Sequence, residues 1–224
     1  MPYQNRVTPL SSIIADPARG DVMGNRGCLH DDHQHIIYHY RTTRWIICNL
    51  AFGDRQRKIM TPGEYTELFF LDEATALAAG HRPCAQCSHT RFTEFQQHWA
   101  AANPELAGGS TPKVDVIDDQ LHRERLTEAY YARDQRRRVY LDALDDLPEG
   151  VFVALGDGLA PYLVLDGGIL PWTPGGYGAP VVRPTGQTAI VLTPRSVVRA
   201  IRNGFHPVTH RSATVEGVTK DALT

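Results

Sequence analysis

The chain has 224 residues, a formal net charge of -2 and four cysteines. That length supports one large domain or two small ones without covalent cross-links, and the charge argues against a surface built for indiscriminate nucleic-acid binding. No stretch approaches the roughly 18 apolar residues of a membrane span, and the first residues carry no secretion or lipidation signal. We therefore expect a cytoplasmic protein with no membrane partner and with reduced thiols.

The first predicted region, residues 24–102, is a small module of β-structure and helices. Two β-rich runs, 36–40 and 45–48, flank the polar tetrapeptide at 41–44, a pattern typical of a β-hairpin. Cys48 is then the last residue of the second strand.

Two helices are predicted later in the same region. Asp72 can cap a helix that Gly80 terminates, and Ser88 can cap another. Cys84 and Cys87 lie in the short segment between them.

Residues 103–112 are rich in glycine and proline, which predicts a linker or mobile loop. Beyond it, residues 113–212 read as a mixed α+β region, packed with the first region or separate from it. Asp118 is predicted to start a helix, and a second helix follows Pro194. Short strands are predicted at 151–155, 162–165 and 189–192. The predicted fold class is α+β.

Cys84-Ala85-Gln86-Cys87 is a C-x2-C sequence, which lets two thiolates converge on one zinc ion across a tight turn. A redox pair is the alternative, but a thioredoxin-like motif should follow a strand in a βαβ pattern. Cys28 and Cys48 lie upstream and can supply the distant ligands. The sequence predicts a structural Zn²⁺ site.

The run 41–48, followed by the alanine-rich run 72–87, resembles the zinc-binding N-terminal domain of the Ada DNA-repair family over roughly residues 36–90. In that family a strand ends in a cysteine after an Arg-Thr-Thr turn, and an alanine-rich segment ending in C-x2-C supplies two further ligands. The resemblance implies a four-thiolate zinc domain that contacts the DNA backbone, in which Cys48 accepts a methyl group from a phosphotriester.

The chain departs from the family at the second thiolate, because Phe52 stands where the family has a cysteine. Cys28 would restore four sulfurs, and His30 and His33 are the alternative ligands. An imidazole ligand would change the electronic state of the thiolates, so alkyl transfer to Cys48 does not carry over automatically.

Basic residues near these motifs and two aromatic residues in the glycine-rich loop 172–178 are candidates for nucleic-acid binding. Solvated surface charges and a packed turn are the alternative interpretations. A second basic run covers 133–138. The candidates are Arg41, Arg44, Arg55, Arg57, Lys58, Trp172 and Tyr177.

A polar cluster between residues 115 and 124 can be read as a catalytic site for phosphodiester or glycosidic chemistry, with Asp118, Asp119, His122 and Glu124 as its acids and bases. The alternative is an acid-rich first helical turn, which the helix dipole favours. Tyr65 and Glu67 either face a cleft or simply precede a strand.

These patterns leave three functional hypotheses. The first is a zinc-containing DNA-binding protein of repair or defence that recognises or processes damaged or modified DNA. The second is a metal-assisted nuclease or DNA glycosylase that uses the 115–124 cluster, with zinc holding the scaffold. The third is a zinc-stabilised interaction module without catalysis.

Overall fold

The computed structural model describes residues 1–53, 58–126, 138–156 and 159–214. Two sheets and five α-helices lie in these ranges, so the predicted α+β class is confirmed. None of these helices is long and apolar enough to cross a lipid bilayer.

The first sheet has six short strands drawn from the N-terminal 83 residues. The strands are β1 (Gln4–Val7), β2 (Ile13–Ala15), β3 (Val22–Asn25), β4 (Ile46–Cys48), β5 (Leu68–Phe70) and β6 (Arg82–Pro83). Their order across the sheet is β2-β1-β5-β3-β4-β6. The β1–β5 and β4–β6 pairs are parallel and the other pairs are antiparallel.

Helices α1 (Glu73–Ala78) and α2 (His89–Ala102) flank β6 in the chain. Asp72 caps α1 as predicted, because its carboxylate accepts a hydrogen bond from the Thr75 N–H at 2.8 Å. Ser88 precedes α2 but its side chain makes no capping hydrogen bond.

The chain continues through α3 (Pro104–Ala107) and α4 (Val114–Arg125) into the second sheet. Its strands are β7 (Tyr140–Ala143), β8 (Phe152–Leu155), β9 (Ala160–Leu165), β10 (Gly168–Thr173), β11 (Gly176–Tyr177), β12 (Val181–Val182) and β13 (Thr188–Val191). Six of them run in the order β11-β10-β9-β8-β13-β7, and β12 also pairs with β10. A 3₁₀ turn (Leu144–Asp146) follows β7, and α5 (Arg195–Arg202) follows β13.

One buried cluster joins the two predicted regions. It includes Phe95 and Trp99 of α2, Leu121 of α4, Val191 of β13 and Val198 of α5. Because apolar side chains from both regions exclude water together, the two regions share a core.

The structure corrects three predictions of local structure. The predicted hairpin is wrong: the N–H groups of Arg41 and Thr42 donate to the carbonyl of Arg26, and β4 pairs with β3 and β6 instead. The predicted loop contains α3, and the buried Asn103 side chain ties it to α5 by donating to the Ser196 carbonyl. Helix α4 begins at Val114, four residues before the predicted start.

Candidate metal centre

Two backbone connections place the Cys84–Cys87 turn, here called the knuckle, beside the end of β4. Strand β6 runs parallel to β4, with Ile47 opposite Pro83. The N–H of Cys84 then donates to the Ile47 carbonyl at 2.8 Å, and the N–H of Ser88 donates to the Cys84 carbonyl at 3.2 Å. Since Cys48 directly follows Ile47, this register brings the strand cysteine next to the knuckle.

The thiols of Cys48, Cys84 and Cys87 are free, and their sulfur atoms all lie within 4.8 Å of one another. Zinc–thiolate bonds of about 2.3 Å in a tetrahedron place two sulfurs about 3.8 Å apart. Small movements therefore suffice for all three sulfurs to reach one ion. This group can hold a metal ion, and three soft sulfur donors suit zinc.

Hydrogen bonds around the sulfurs favour ionisation of the buried knuckle cysteine. The Cys48 thiol, together with the N–H groups of Gln86 and Cys87, lowers the pKa of Cys84 to about 4. The interaction with Cys84, followed by burial, raises the pKa of Cys48, and burial raises the pKa of Cys87. Cys84 is thus the first thiolate, and a bound divalent cation would favour ionisation of the other two thiols as well.

Asn49 holds the far side of the knuckle. Its side-chain amide donates to the Cys87 carbonyl at 2.7 Å, and its backbone N–H points at the Cys87 sulfur. Asn49 follows Cys48 directly. The strand is therefore tied to the start of the knuckle through Ile47 and Cys84, and to its end through Asn49 and Cys87. Sequence reasoning missed Asn49, since an exposed asparagine carries no signal of its own.

The structure does not bring the predicted fourth ligands into this group. The Cys28 thiol donates to the His30 carbonyl at 3.7 Å instead. The buried His30 ring lies between the Thr66 hydroxyl at 2.6 Å and the Thr61 carbonyl at 3.2 Å, so both its nitrogens are engaged. His33 is exposed in a turn that the Asp31 carboxylate organises.

Comparisons of this chain with protein-family models, curated proteins and solved structures gave no match. The resemblance to the Ada domain therefore rests on the quoted residues alone.

The four predicted catalytic residues on α4 do not converge on a common site. Asp118 is buried and forms a two-pronged ion pair with Arg82, at 3.0 and 2.8 Å. Glu124 accepts hydrogen bonds from the N–H and hydroxyl of Ser196, at 3.1 and 2.7 Å. Both carboxylates therefore serve the fold.

The remaining two residues of that cluster differ in exposure. His122 is half-buried with its ring edge-on to Tyr40, 5.2 Å between ring centroids, whereas Asp119 is exposed. Burial lowers the pKa of His122, with a further lowering from the nearby Arg125 charge and an opposing effect from Asp119. A neutral, packed histidine suits the helix-turn interpretation better than acid–base catalysis.

The basic residues predicted to bind nucleic acid are only partly described. Arg41 and Arg44 are exposed; Arg41 stacks over Tyr38 at 4.6 Å, and Arg44 lies 3.7 Å from the equally exposed Asp115. Lys58 is exposed as well. Arg55 and Arg57 lie outside the described residues.

The two predicted base-stacking residues, Trp172 and Tyr177, are engaged inside the protein. The indole N–H of Trp172 donates to the Thr75 hydroxyl at 3.2 Å, and the Tyr177 hydroxyl donates to the Asp72 carboxylate at 2.7 Å. These contacts fasten the glycine-rich segment 172–178 to the start of α1. The packed-turn interpretation accounts for both aromatics.

A second basic surface is apparent only in three dimensions. Arg123, Arg138 and Arg195 are exposed side chains that line one cavity of about 430 Å³. The guanidinium of Arg195 lies over the Tyr140 ring at 3.9 Å. Arg138 belongs to the basic run 133–138, whereas the other two arginines gave no sequence signal.

Proposed function

We propose that this chain is a zinc protein that binds DNA in a repair or defence role. One observation carries the proposal: strand cysteine Cys48 and knuckle cysteines Cys84 and Cys87 converge in the segments that resemble the Ada domain. Zinc bound there would cross-link β4 to the knuckle and supply a thiolate centre. Binding a structural zinc contributes directly to folding.

Exposed arginines on two surfaces would supply the phosphate contacts. Arg44 has a long, two-thirds-exposed ion pair with Asp115, and such pairs contribute at most about 1 kcal/mol, so a phosphate can displace the carboxylate. Arg123, Arg138 and Arg195 line the cavity of about 430 Å³, where the carboxylate of Glu124 is already bonded to Ser196. A planar guanidinium can hold a phosphate with two hydrogen bonds.

The experiment is a titration of labelled single- and double-stranded DNA at two salt concentrations. Each lost phosphate contact should flatten the log–log salt slope by about 0.7 to 0.9. We therefore compare the wild type with the pair Arg41→Ala and Arg44→Ala, and with the pair Arg123→Ala and Arg138→Ala.

The control pair is Arg19→Ala and Arg211→Ala, because both arginines are exposed and outside the two surfaces. It removes the same charge and should leave the slope closer to that of the wild type. No binding at low salt by zinc-loaded protein would refute the DNA proposal and favour the interaction module.

A further inference from the structure

A cavity of about 250 Å³ lies against the metal centre, and Cys48 and Cys87 form part of its wall. The register of the first sheet explains its position. Cys48 is paired with Met23, and Met23 is paired with Phe69, across three neighbouring strands. Directly paired residues share one face of a sheet, so the thiol, the thioether and the ring stand side by side.

Two polar residues that precede Phe69 in the chain continue the cavity wall. Glu67 and Tyr65 precede Phe69 by two and four residues, and both line the same cavity. Residues two apart in an extended chain share a face. The cleft interpretation of these two residues, left open by the sequence, is the one that the geometry favours.

The charge of the wall sets the class of ligand. Glu67 is only 5% exposed, and the Met60 N–H donates to its carboxylate at 2.8 Å. Three thiolates around a divalent cation carry a net charge of about -1, and the carboxylate adds another negative charge. An anionic molecule is therefore repelled, whereas a neutral or cationic one is accepted.

Two apolar residues of the cavity wall are exposed to solvent. Leu50 is 54% exposed and Phe52 is 38% exposed, and both line the cavity. Exposed apolar side chains beside a cavity are typical of a binding site. A cavity of about 150 Å³ holds benzene, so this one suits a molecule of about ten non-hydrogen atoms.

We propose that this cavity binds a small, neutral or positively charged organic molecule with an apolar body, seated against Cys48 and Cys87. The site shares its metal centre with the proposed function but does not depend on DNA binding. Its occupant contacts the sulfur wall at one end and the Glu67 carboxylate at the other.

Three probes of similar size test the charge preference: benzylamine, benzyl alcohol and benzoate. Protein loaded with Co²⁺ in place of zinc is titrated with each probe. The sulfur-to-cobalt absorption reports loading, and calorimetry with the visible spectrum reports the probe. We expect saturable binding of benzylamine and benzyl alcohol, with benzoate at least about tenfold weaker.

Two variants locate the binding. Glu67→Gln is isosteric and keeps an acceptor for the Met60 N–H, so it should reduce the preference for benzylamine over benzoate about tenfold. Phe52→Ala should weaken all three probes. Leu141→Ala is the matched control, because Leu141 is 67% exposed on β7 and does not line the cavity.

The outcomes separate the two proposals. Cobalt loading without saturable binding of either favoured probe overturns the cavity proposal and leaves the metal centre standing. Binding unchanged by both Phe52→Ala and Glu67→Gln places the probes elsewhere and also overturns it. If cobalt does not load, the zinc proposal fails. The metal-free chain is then titrated with benzylamine and benzyl alcohol, and absence of saturable binding of either overturns the cavity proposal as well.

Discussion

The three cysteines and the polar residues of α4 are both groups of chemically reactive side chains, but their surroundings differ. The three cysteine sulfurs lie within 4.8 Å of one another, and Cys48 and Cys87 also line a cavity. On α4, Asp118 is held by Arg82 and Glu124 by Ser196. A group whose hydrogen-bonding capacity is spent on the fold has little left for a substrate or an ion.

The difference shows why a list of residue types is a weak guide to chemistry. Both groups contain residue types that serve as metal ligands or as acids and bases. In the cysteine group, three sulfur atoms converge, and no arginine or lysine side chain of the described residues lies between them as a salt-bridge partner. On α4, the Asp118 carboxylate is already paired with the buried guanidinium of Arg82. The following measurements test that contrast, from the largest expected effect to the smallest.

Loss of a knuckle thiolate should have the largest effect. Cys84→Ser should reduce bound zinc from about one equivalent to well under half and give an aggregation-prone protein, because metal binding and folding are coupled. Elemental analysis of purified protein measures this. Cys28→Ser is the control and should keep its zinc; zinc loss in that variant instead would restore Cys28 as the fourth ligand.

Removal of the Asp118 carboxylate should cost about 3 to 5 kcal/mol of unfolding free energy, since it leaves the charge of Arg82 buried and unpaired. The Arg82 and Asp118 side chains are only 4% and 2% exposed. Urea unfolding of Asp118→Ala at fixed zinc concentration measures the loss. The exposed neighbour provides the control, Asp119→Ala, which should change stability by less than about 0.5 kcal/mol. Equal losses in both variants would contradict the structural role of Asp118.

The Glu124 carboxylate should contribute about 1 to 2 kcal/mol to the free energy of unfolding, because it accepts two hydrogen bonds at the start of α5. Glu124→Gln should lower the urea midpoint accordingly, and Glu149→Gln at an exposed position should not. The same pair of proteins should behave alike in DNA cleavage and base-release assays. A selective loss of such activity in Glu124→Gln would revive the catalytic interpretation of α4.

The smallest effect concerns pH. The pKa of His122 lies below its ordinary value of 6.5 because burial disfavours the imidazolium. The unfolded chain therefore binds more protons between the folded pKa and about 6.5, so stability should rise with pH across that window. His122→Gln should flatten the rise by less than about 1 kcal/mol, whereas His89→Gln at an exposed site should leave it intact. Urea midpoints measured at pH values below and above this window test the prediction. A wild-type pH dependence of stability in His122→Gln would contradict the lowered pKa of His122.

The sequence was most informative where the signal is local. The Asp72 cap of α1 uses an acceptor and an N–H three residues apart, and the Cys84–Cys87 knuckle closes within a few residues. Short-range hydrogen bonds of this kind depend on backbone geometry that neighbouring residues largely determine. These features, the strand ending in Cys48 and the α+β class could all be predicted.

The tertiary structure decided which distant groups meet. The hairpin prediction failed because β4 pairs with β3 and β6, and the Arg41 segment is held by Arg26. Asp118 lies 36 residues from Arg82, and Glu124 lies 72 residues from Ser196. No periodicity encodes such pairs, since they result from the chain burying its apolar surface while every buried charge finds a partner. The sequence by itself named Cys28, Cys48, Cys84 and Cys87 as candidate metal ligands. Only the fold showed that the last three converge and that two of these line a cavity.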